Sequence, residues 1–446
     1  MENHNFCTIN TLISDIVLFL TGTKNNCSSI IKVNEEKLYF KGELYFLSNI
    51  KAWKSFFKNT ACCNKNCGNI LQHFWNRKNK GDATVSNLTD QQIIEEALKL
   101  LLSTSKEWTI SLESYALQKE KICLFLNRNY IIPITIKKVV GQPIFGNVIS
   151  HKGSYNLKVQ LDEHSELTNA RLNLVQKVTS KILATQGYQV LDNDDGTYKI
   201  IFTTKSQGAT ENHCKKCVCG VVKNSDSNLK DTSVTWKAYV KTKTNQLLEL
   251  NDFKINIFNN KLDGINSFIF NIAKAVATFE LLTVKPCKPI ICGVNSDSDK
   301  ATTNTKGATF ILYNLARITA ILEKYREKEA NDEVSALPDI NEIDFAQLDE
   351  EDEWNLIFNY VMRYHDIIED CIVHEPNFET NPQIICLFLL RMCQKFSIYY
   401  RHTRILTEGG VHLLPKMFAR IYMLQALQII LRNGLAILGI DPVSRM

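Results

Sequence analysis

Two cysteine clusters, a lone histidine in a short loop, and a concentration of tyrosines and arginines near the chain's end are the residues that could do chemistry in this 446-residue sequence. The first cluster, CCNKNC, holds Cys62, Cys63 and Cys67; the second, HCKKCVC, holds His213, Cys214, Cys217 and Cys219. Tetrahedral zinc wants four soft ligands, usually from two pairs of the Cys-x2-Cys kind. Only Cys214 and Cys217 have that spacing. Unliganded cysteines in a loop and a strand are therefore the plainer reading, and a metal held by the second cluster, alone or with Cys62 and Cys67, is the alternative. The expectation is no metal and no other cofactor. His164 stands alone in DEHSELTNAR, with no glycine and no second histidine in that loop. Near the end, Arg391, Lys395, Arg401, Arg404, Lys416, Arg420 and Arg432 accompany Tyr399 and Tyr400. By spacing alone, this pattern describes a basic helical hairpin and no more.

The elements that must position these residues can be read from periodicity. From Gln383 the residues Ile385, Phe388, Leu389, Met392, Phe396 and Tyr399 recur at three- and four-residue steps, which puts them on one face of a helix. Leu414, Met417, Ile421, Leu424, Ile430 and Leu435 repeat the rhythm, with Pro415 tolerable near a helix start and Gly439 and Pro442 marking its end. Upstream, YNLKVQL, NARLNLVQKVTSKILATQG and YQVLDND read as strand, helix, strand, with Gly187 ending the helix; this is the opening unit of a nucleotide-binding fold. Residues 1–140 mix helix and strand: Ile9–Leu20 predicts a helix, KLYFKGELYFLS (37–48) alternates like a strand pair or a strand and turn, Thr89 with Gln92 forms a capping box, and KICLFLN is a strand. Lysines and arginines at 51, 54, 58, 65, 77, 78 and 80 interleave with Trp53, Phe56, Phe57, Phe74 and Trp75. That spacing fits RNA, but most of those rings are expected in the core.

Bulk numbers bound the class. The chain is 45% hydrophobic and 22% charged, as ordinary globular proteins are, and its length suggests two or three domains. No apolar run approaches the roughly 18 residues that span a bilayer, MENHNF lacks the basic start of a signal peptide, and 14 irregularly spaced cysteines suit a reducing compartment. Cytosol or nucleus is the default compartment, and a cytoplasmic protein with no membrane partner is expected. The net charge of +5 is segmented: residues 327–380 hold 17 acidic and 2 basic residues, those from 381 on hold 8 basic and 2 acidic, and residues 1–326 carry +14. Two basic regions joined by an acidic one suit a polyanion, or are uneven solvated surface. Asp349 to Glu353 precede WNLIFNYVMRYHDII, so those carboxylates are expected at a helix N-terminus, complementing its dipole.

QKFSIYYRHTRIL, then LQALQIILRNGLAILGI, then the ending PVSRM resemble the C-terminal anticodon-binding (DALR) domain of arginyl-tRNA synthetases. TKGATFILYNLARITAILEKY, residues 305–325, resembles the first helix of the same domain, and KICLFLN the end of those enzymes' N-terminal elbow-binding domain. In the synthetases, the loop after the first strand of the catalytic domain carries a His-x-Gly-His motif for adenylate formation; the loop here has His164 only. A second phosphate-binding loop would fall at YVKTKTNQLLELND, where Lys241 and Lys243 could touch phosphate, although VKTKT reads equally as a strand. Synthetase-like blocks with a degraded signature are similar to the DALR anticodon-binding domain-containing protein 3 family, which the KGATFILYNLAR block resembles more than it does active synthetases.

That resemblance implies a fold of α/β plus all-α class: an N-terminal α+β domain (1–140), a degenerate class I synthetase-like Rossmann domain (141–300) and a DALR helical domain (301–446). FNIAKAVATFELL resembles the helix leaving the synthetase domain, and the polar stretch 295–307 is expected to be a linker. It implies no aminoacylation, binding of particular arginine tRNAs rather than DNA, and assistance to a partner methyltransferase that forms 3-methylcytidine at position 32 of the anticodon loop. The positions it carries over to tRNA are Phe310, Tyr313, Arg317, Tyr399, Tyr400 and Met446 at the anticodon, Phe310 replacing the synthetases' tyrosine, with Arg391, Lys395, Arg401, Arg404 and Arg420 for phosphates; for Tyr313 and Tyr399, packing between helices is an equal alternative. Two alternatives remain open: a divergent arginine-tRNA ligase, and a protein-interaction scaffold without RNA binding.

Overall fold

A computed structural model describes residues 8–23, 30–57, 67–79, 88–142, 146, 151–192, 196–206, 214–225, 227–255, 262–292, 299–407 and 410–443. The first stretch is α+β. Helix α1 (Ile9–Thr21) is capped by the Thr8 hydroxyl and ends on Gly22; β1 (Ile31–Val33), α2 (Leu38–Lys41) and β2 (Leu44–Leu47) follow, then α3 (Ile70–Lys78), α4 (Asp90–Ser105), β3 (Leu112–Gln118), β4 (Lys121–Leu126) and α5 (Arg128–Val140). The strands form an antiparallel sheet in the order β1-β2-β4-β3. The first half of KLYFKGELYFLS is thus a helical turn and only the second half a strand. The expected capping box is present: Gln92 N–H donates to the Thr89 hydroxyl and Thr89 N–H to Gln92 Oε1. Trp53, Phe56 and Phe74 are buried, which puts those rings in the core rather than on RNA. Lys58, Lys65 and Lys80 lie outside the described residues.

The middle stretch is Rossmann-like α/β. It comprises β5 (Ser154–Val159), α6 (Glu166–Thr185), β6 (Gln189–Leu191), β7 (Tyr198–Thr203), β8 (Cys214–Val218) and β9 (Val222–Asn224), then the long helices α7 (Trp236–Ile255) and α8 (Leu262–Leu282), and β10 (Ile290–Cys292). Strands β6-β5-β7-β8 form an all-parallel sheet, with β9 and β10 a separate parallel pair. The strand–helix–strand unit is where the periodicity put it: Val178, Ile182 and Leu183 are buried, and Gly187 follows α6 with φ of 90°. VKTKT is neither strand nor loop; it lies within α7, whose apolar residues Tyr239, Val240 and Leu247 are buried at helical spacing.

The last stretch is mostly helical, as the resemblance implies. Helix α9 (Asp299–Ala330) begins inside the stretch expected to be a linker, so residues 299–307 are helical. Then come α10 (Glu351–Leu356), a π-helical turn (Ile357–Met362), α11 (Tyr364–Asp370), the short pair β11 (Ile372–Val373) and β12 (Glu379–Thr380), α12 (Gln383–His402) and α13 (Leu414–Leu438). The expected apolar stripe of α12 is buried throughout. A Cβ on Gly434 of α13 would stand 2.7 Å from Cδ2 of Leu389 on α12, so a larger residue there would require the leucine side chain to move. Gly439, at φ of 73°, ends α13, with Ile440 N–H reaching back to Leu435 O. By length and composition the helical stretch Val411–Leu438 could cross a bilayer; 67% of its apolar window is buried inside the protein, as in a core helix.

Two compact units result: residues 1–138, 338–366 and 410–420 form one, and residues 139–337, 367–409 and 421–446 the other.

Candidate nucleic-acid interface

Within the second unit, α9 and α12 pack together and bring three of the expected RNA-binding side chains into one cluster. Tyr313 and Arg317 sit one turn apart on α9, where residues at i and i+4 meet on one face. Tyr400 arrives from α12. The Arg317 guanidinium carbon is 4.5 Å from the centre of the Tyr313 ring and 4.7 Å from that of Tyr400, both within the range at which a ring face attracts a cation. Its Nη2 also donates a hydrogen bond of 2.6 Å to the Tyr313 hydroxyl. Phe396 supports Tyr400, their ring centres 6.1 Å apart.

The cluster is open to solvent. Tyr313 is 44% and Tyr400 39% exposed, and Arg317 is half-buried. Guanidinium has five N–H donors in a rigid fork, so a bond to Tyr313 leaves donors for a base edge or phosphate. Two accessible ring faces offer stacking, worth about 1–3 kcal/mol per base. The arrangement is preorganised, because the cation–π contacts hold the guanidinium in place before any ligand arrives. Arg391, Arg401 and Arg404 are exposed and Lys395 and Phe310 half-buried.

Two expected contacts are placed elsewhere. Tyr399 is fully buried, so its ring packs in the helical core and does not stack on a base. Arg420 is buried in the first unit, where its Nε donates to Glu353 at 2.7 Å and its Nη2 to Glu350 at 2.5 Å. A desolvated guanidinium committed to two carboxylates is not a phosphate contact. Lys416, one turn earlier, pairs with Asp349 at 2.6 Å. The acidic run therefore does two jobs, since Glu350 and Glu353 also form the capping box of α10. Burial raises the Glu353 carboxyl above its ordinary value, and Arg420 opposes this. Met446 lies outside the described residues.

The loop between β5 and α6 does not form a phosphate cradle. The Ser165 hydroxyl caps α6 by accepting from Thr168 N–H, and His164 is exposed. Asp162 is occupied by Lys230, by the His164 N–H at 3.0 Å and by the Thr204 hydroxyl at 3.2 Å. Burial works to raise the Asp162 carboxyl, but these donors hold it below its usual range. Lys243 is buried on α7 and paired with Glu280 at 3.0 Å, while the Tyr239 hydroxyl also donates to Glu280. Lys243 is thus a structural cation of a helix, not a residue of a mobile phosphate-binding loop.

Cys62, Cys63 and His213 lie outside the described residues. Cys67 accepts a hydrogen bond from Asn76, Cys214 is half-buried, and Cys217 and Cys219 are buried. Among the described residues no group of three or more His, Cys, Asp or Glu side chains is placed to hold a metal. Sequence reading missed Arg171, a fully buried cation on α6 that donates to the carbonyls of Gly220, Leu281, Val284, Lys285 and Lys288. Its neighbours Leu172, Val175 and Val178 are buried at helical spacing, which was the available signal.

Residues 311–446 match the family model of the DALR anticodon binding domain. The chain is 30% identical over 240 residues to the mouse (Mus musculus) DALR anticodon-binding domain-containing protein 3, covering 52% of this chain and 43% of that protein. It is 28% identical over 138 residues, 31% of this chain and 22% of the relative, to the arginine–tRNA ligase of Syntrophotalea carbinolica. The chain thus matches less than half the length of each of these relatives. The arginyl-tRNA synthetase of Thermus thermophilus superposes with a TM-score of 0.62 over 98% of this chain and 100% of that one at 10% identity, a likeness of fold. The C-terminal part of the chain is a DALR anticodon-binding domain, and the chain is homologous to arginyl-tRNA synthetases and to DALR anticodon-binding domain-containing protein 3.

Proposed function

We propose that this protein is a non-catalytic, cytoplasmic tRNA-binding protein that recognises particular arginine tRNAs and acts as an adaptor for a tRNA methyltransferase forming 3-methylcytidine at position 32 of the anticodon loop. The observation that carries the tRNA reading is the Tyr313–Arg317–Tyr400 cluster, two exposed ring faces around a held guanidinium on the DALR helices. Supporting the non-catalytic reading, the loop where the synthetases place paired histidines on a glycine turn has one exposed histidine and a committed Asp162. The methyltransferase is suggested by the resemblance of the KGATFILYNLAR block to the DALR anticodon-binding domain-containing protein 3 family.

The test is to recover the protein from cells under mild crosslinking, sequence the bound RNA, and probe the same material for a methyltransferase. Enrichment of one or two arginine tRNAs, lost in an Arg317→Ala/Tyr400→Ala double variant, is the expected result. Recovery of tRNAs in proportion to abundance, or of none, would overturn anticodon reading and leave a protein scaffold. Enrichment without a methyltransferase, together with 3-methylcytidine levels unchanged when the protein is depleted, would overturn the adaptor role alone.

A further inference from the structure

A furrow of about 720 Å³ lies in the second unit and shares no residue with the tyrosine–arginine cluster. Its floor is the face of α6 from Glu166 to Lys181, a length of about 22 Å at the helical rise. Lys274 and Thr278 of α8 form one wall; the end of α13, Ile437 to Gly439, closes one end and Trp236 the other. Three ammonium groups line it. Lys177 and Lys181 are one turn apart on α6 and Lys274 faces them from α8, all exposed. Glu166, the only carboxylate among the described lining residues, accepts the Trp236 backbone N–H at 3.2 Å. Lys181 donates to Ala436 O at 2.6 Å, which fixes it at the furrow's edge. Burial lowers the Lys181 ammonium, Asp441 raises it in part, and Lys177 lowers it further, a repulsion that an anion between the two lysines would relieve.

We infer that this furrow holds a stretch of tRNA phosphate–ribose backbone outside the anticodon loop, with Lys177, Lys181 and Lys274 against phosphates and the Trp236 ring against ribose or base. The inference rests on the tRNA-binding reading above. Cations on the floor, a helical turn apart, and a third on the α8 wall suit a polymer charged at regular steps. An acidic amphipathic helix would instead need a continuous apolar stripe. Asn173 and Gln176 interrupt the apolar residues Leu174, Val178 and Leu438 here.

The experiment compares binding of the full-length chain to an intact arginine tRNA and to the isolated anticodon stem-loop of the same tRNA, across a salt series. The variant is Lys177→Gln/Lys274→Gln, which spares Lys181 because it holds the end of α13. For intact tRNA the variant is expected to bind roughly fivefold to tenfold more weakly near physiological salt, with a salt slope smaller by about 1.5 to 2. Stem-loop binding should be unchanged, and Lys177→Glu/Lys274→Glu should lose more. Unchanged affinity and slope for intact tRNA would overturn the inference; if binding of a polyglutamate probe fell instead, the furrow would belong to an acidic protein. Equal losses for tRNA and stem-loop would also overturn it, by placing the furrow at the anticodon. Failure of the unsubstituted protein to bind either RNA would defeat the tRNA-binding reading itself, and this inference with it.

Discussion

Tyr399 and Tyr400 are chemically identical and stand one residue apart, a step of about 100° around the helix axis. That step separates a core ring from an accessible one. Tyr399→Ala is expected to cost about 3–5 kcal/mol of stability, as large-to-small changes of buried aromatics do, read as a lowered urea midpoint. Tyr400→Ala should leave stability within about 0.5 kcal/mol and weaken tRNA binding by about 1–3 kcal/mol. Equal stability losses for the two would refute the assignment. Arg420 makes a similar distinction among cations. Arg420→Met leaves Glu353 buried without its partner and is expected to cost about 3–5 kcal/mol, while the salt slope of tRNA binding stays as it was. Because burial already raises the Glu353 carboxyl above 4.5, losing Arg420 raises it further. The folded variant then holds its proton to higher pH than the unfolded chain, so its stability falls as pH rises past the unfolded value. The defect should shrink as pH drops toward 4 and both states protonate, which unfolding curves at several pH values would measure.

At the scale of elements, the Rossmann-like stretch keeps its sheet while its loops serve structure. Arg171 of α6 shows how. Five backbone carbonyls, from Gly220, from Leu281 in the last turn of α8 and from Val284, Lys285 and Lys288 after it, converge on one guanidinium. Burial lowers the pKa of this group, yet the planar fork satisfies buried carbonyls, of which Lys285 O also accepts the Lys288 N–H. Arg171→Met should cost about 3 kcal/mol or more, since each abandoned buried acceptor costs about 1–3 kcal/mol. Arg171→Lys should recover only part, because an ammonium offers three donors in another geometry. Amide hydrogen exchange should rise first in residues 281–288. If exchange there is unchanged in Arg171→Met, the guanidinium does not hold that segment. The Tyr239–Glu280–Lys243 group on α7 and α8 is likewise a buried polar knot that joins two helices.

For the molecule as a whole, the relevant balance is a basic chain with one acidic segment, +5 in net charge. Five consecutive acidic residues, Asp349 to Glu353, lie in that segment, and Asp349, Glu350 and Glu353 are paired with Lys416 and Arg420 in the first unit. Three of the segment's 17 carboxylates are therefore committed to these two cations within the protein. Incubation with ATP, arginine and arginine tRNA should yield no aminoacylated tRNA under conditions in which the protein binds that tRNA with a steep dependence on salt. Arginylation that depends on His164 would overturn the non-catalytic reading.

Much of the fold was legible because it rests on interactions between near neighbours in sequence. The apolar stripes of α12 and α13, the Thr89–Gln92 capping box, the strand–helix–strand unit from residue 154 and the glycine after α13 each follow from contacts within a few residues. Composition alone could not separate Arg317 from Arg420. Both are arginines on amphipathic helices, and what differs is the neighbour that folding brings: two accessible tyrosine rings for one, two carboxylates for the other. In the same way VKTKT alternates like a strand, yet its second lysine is buried in a helix because Glu280, far along the chain, supplies the opposite charge. Periodicity determined which faces turn inward; only tertiary structure decided which charges remained available for RNA, since desolvation depends on partners remote in sequence.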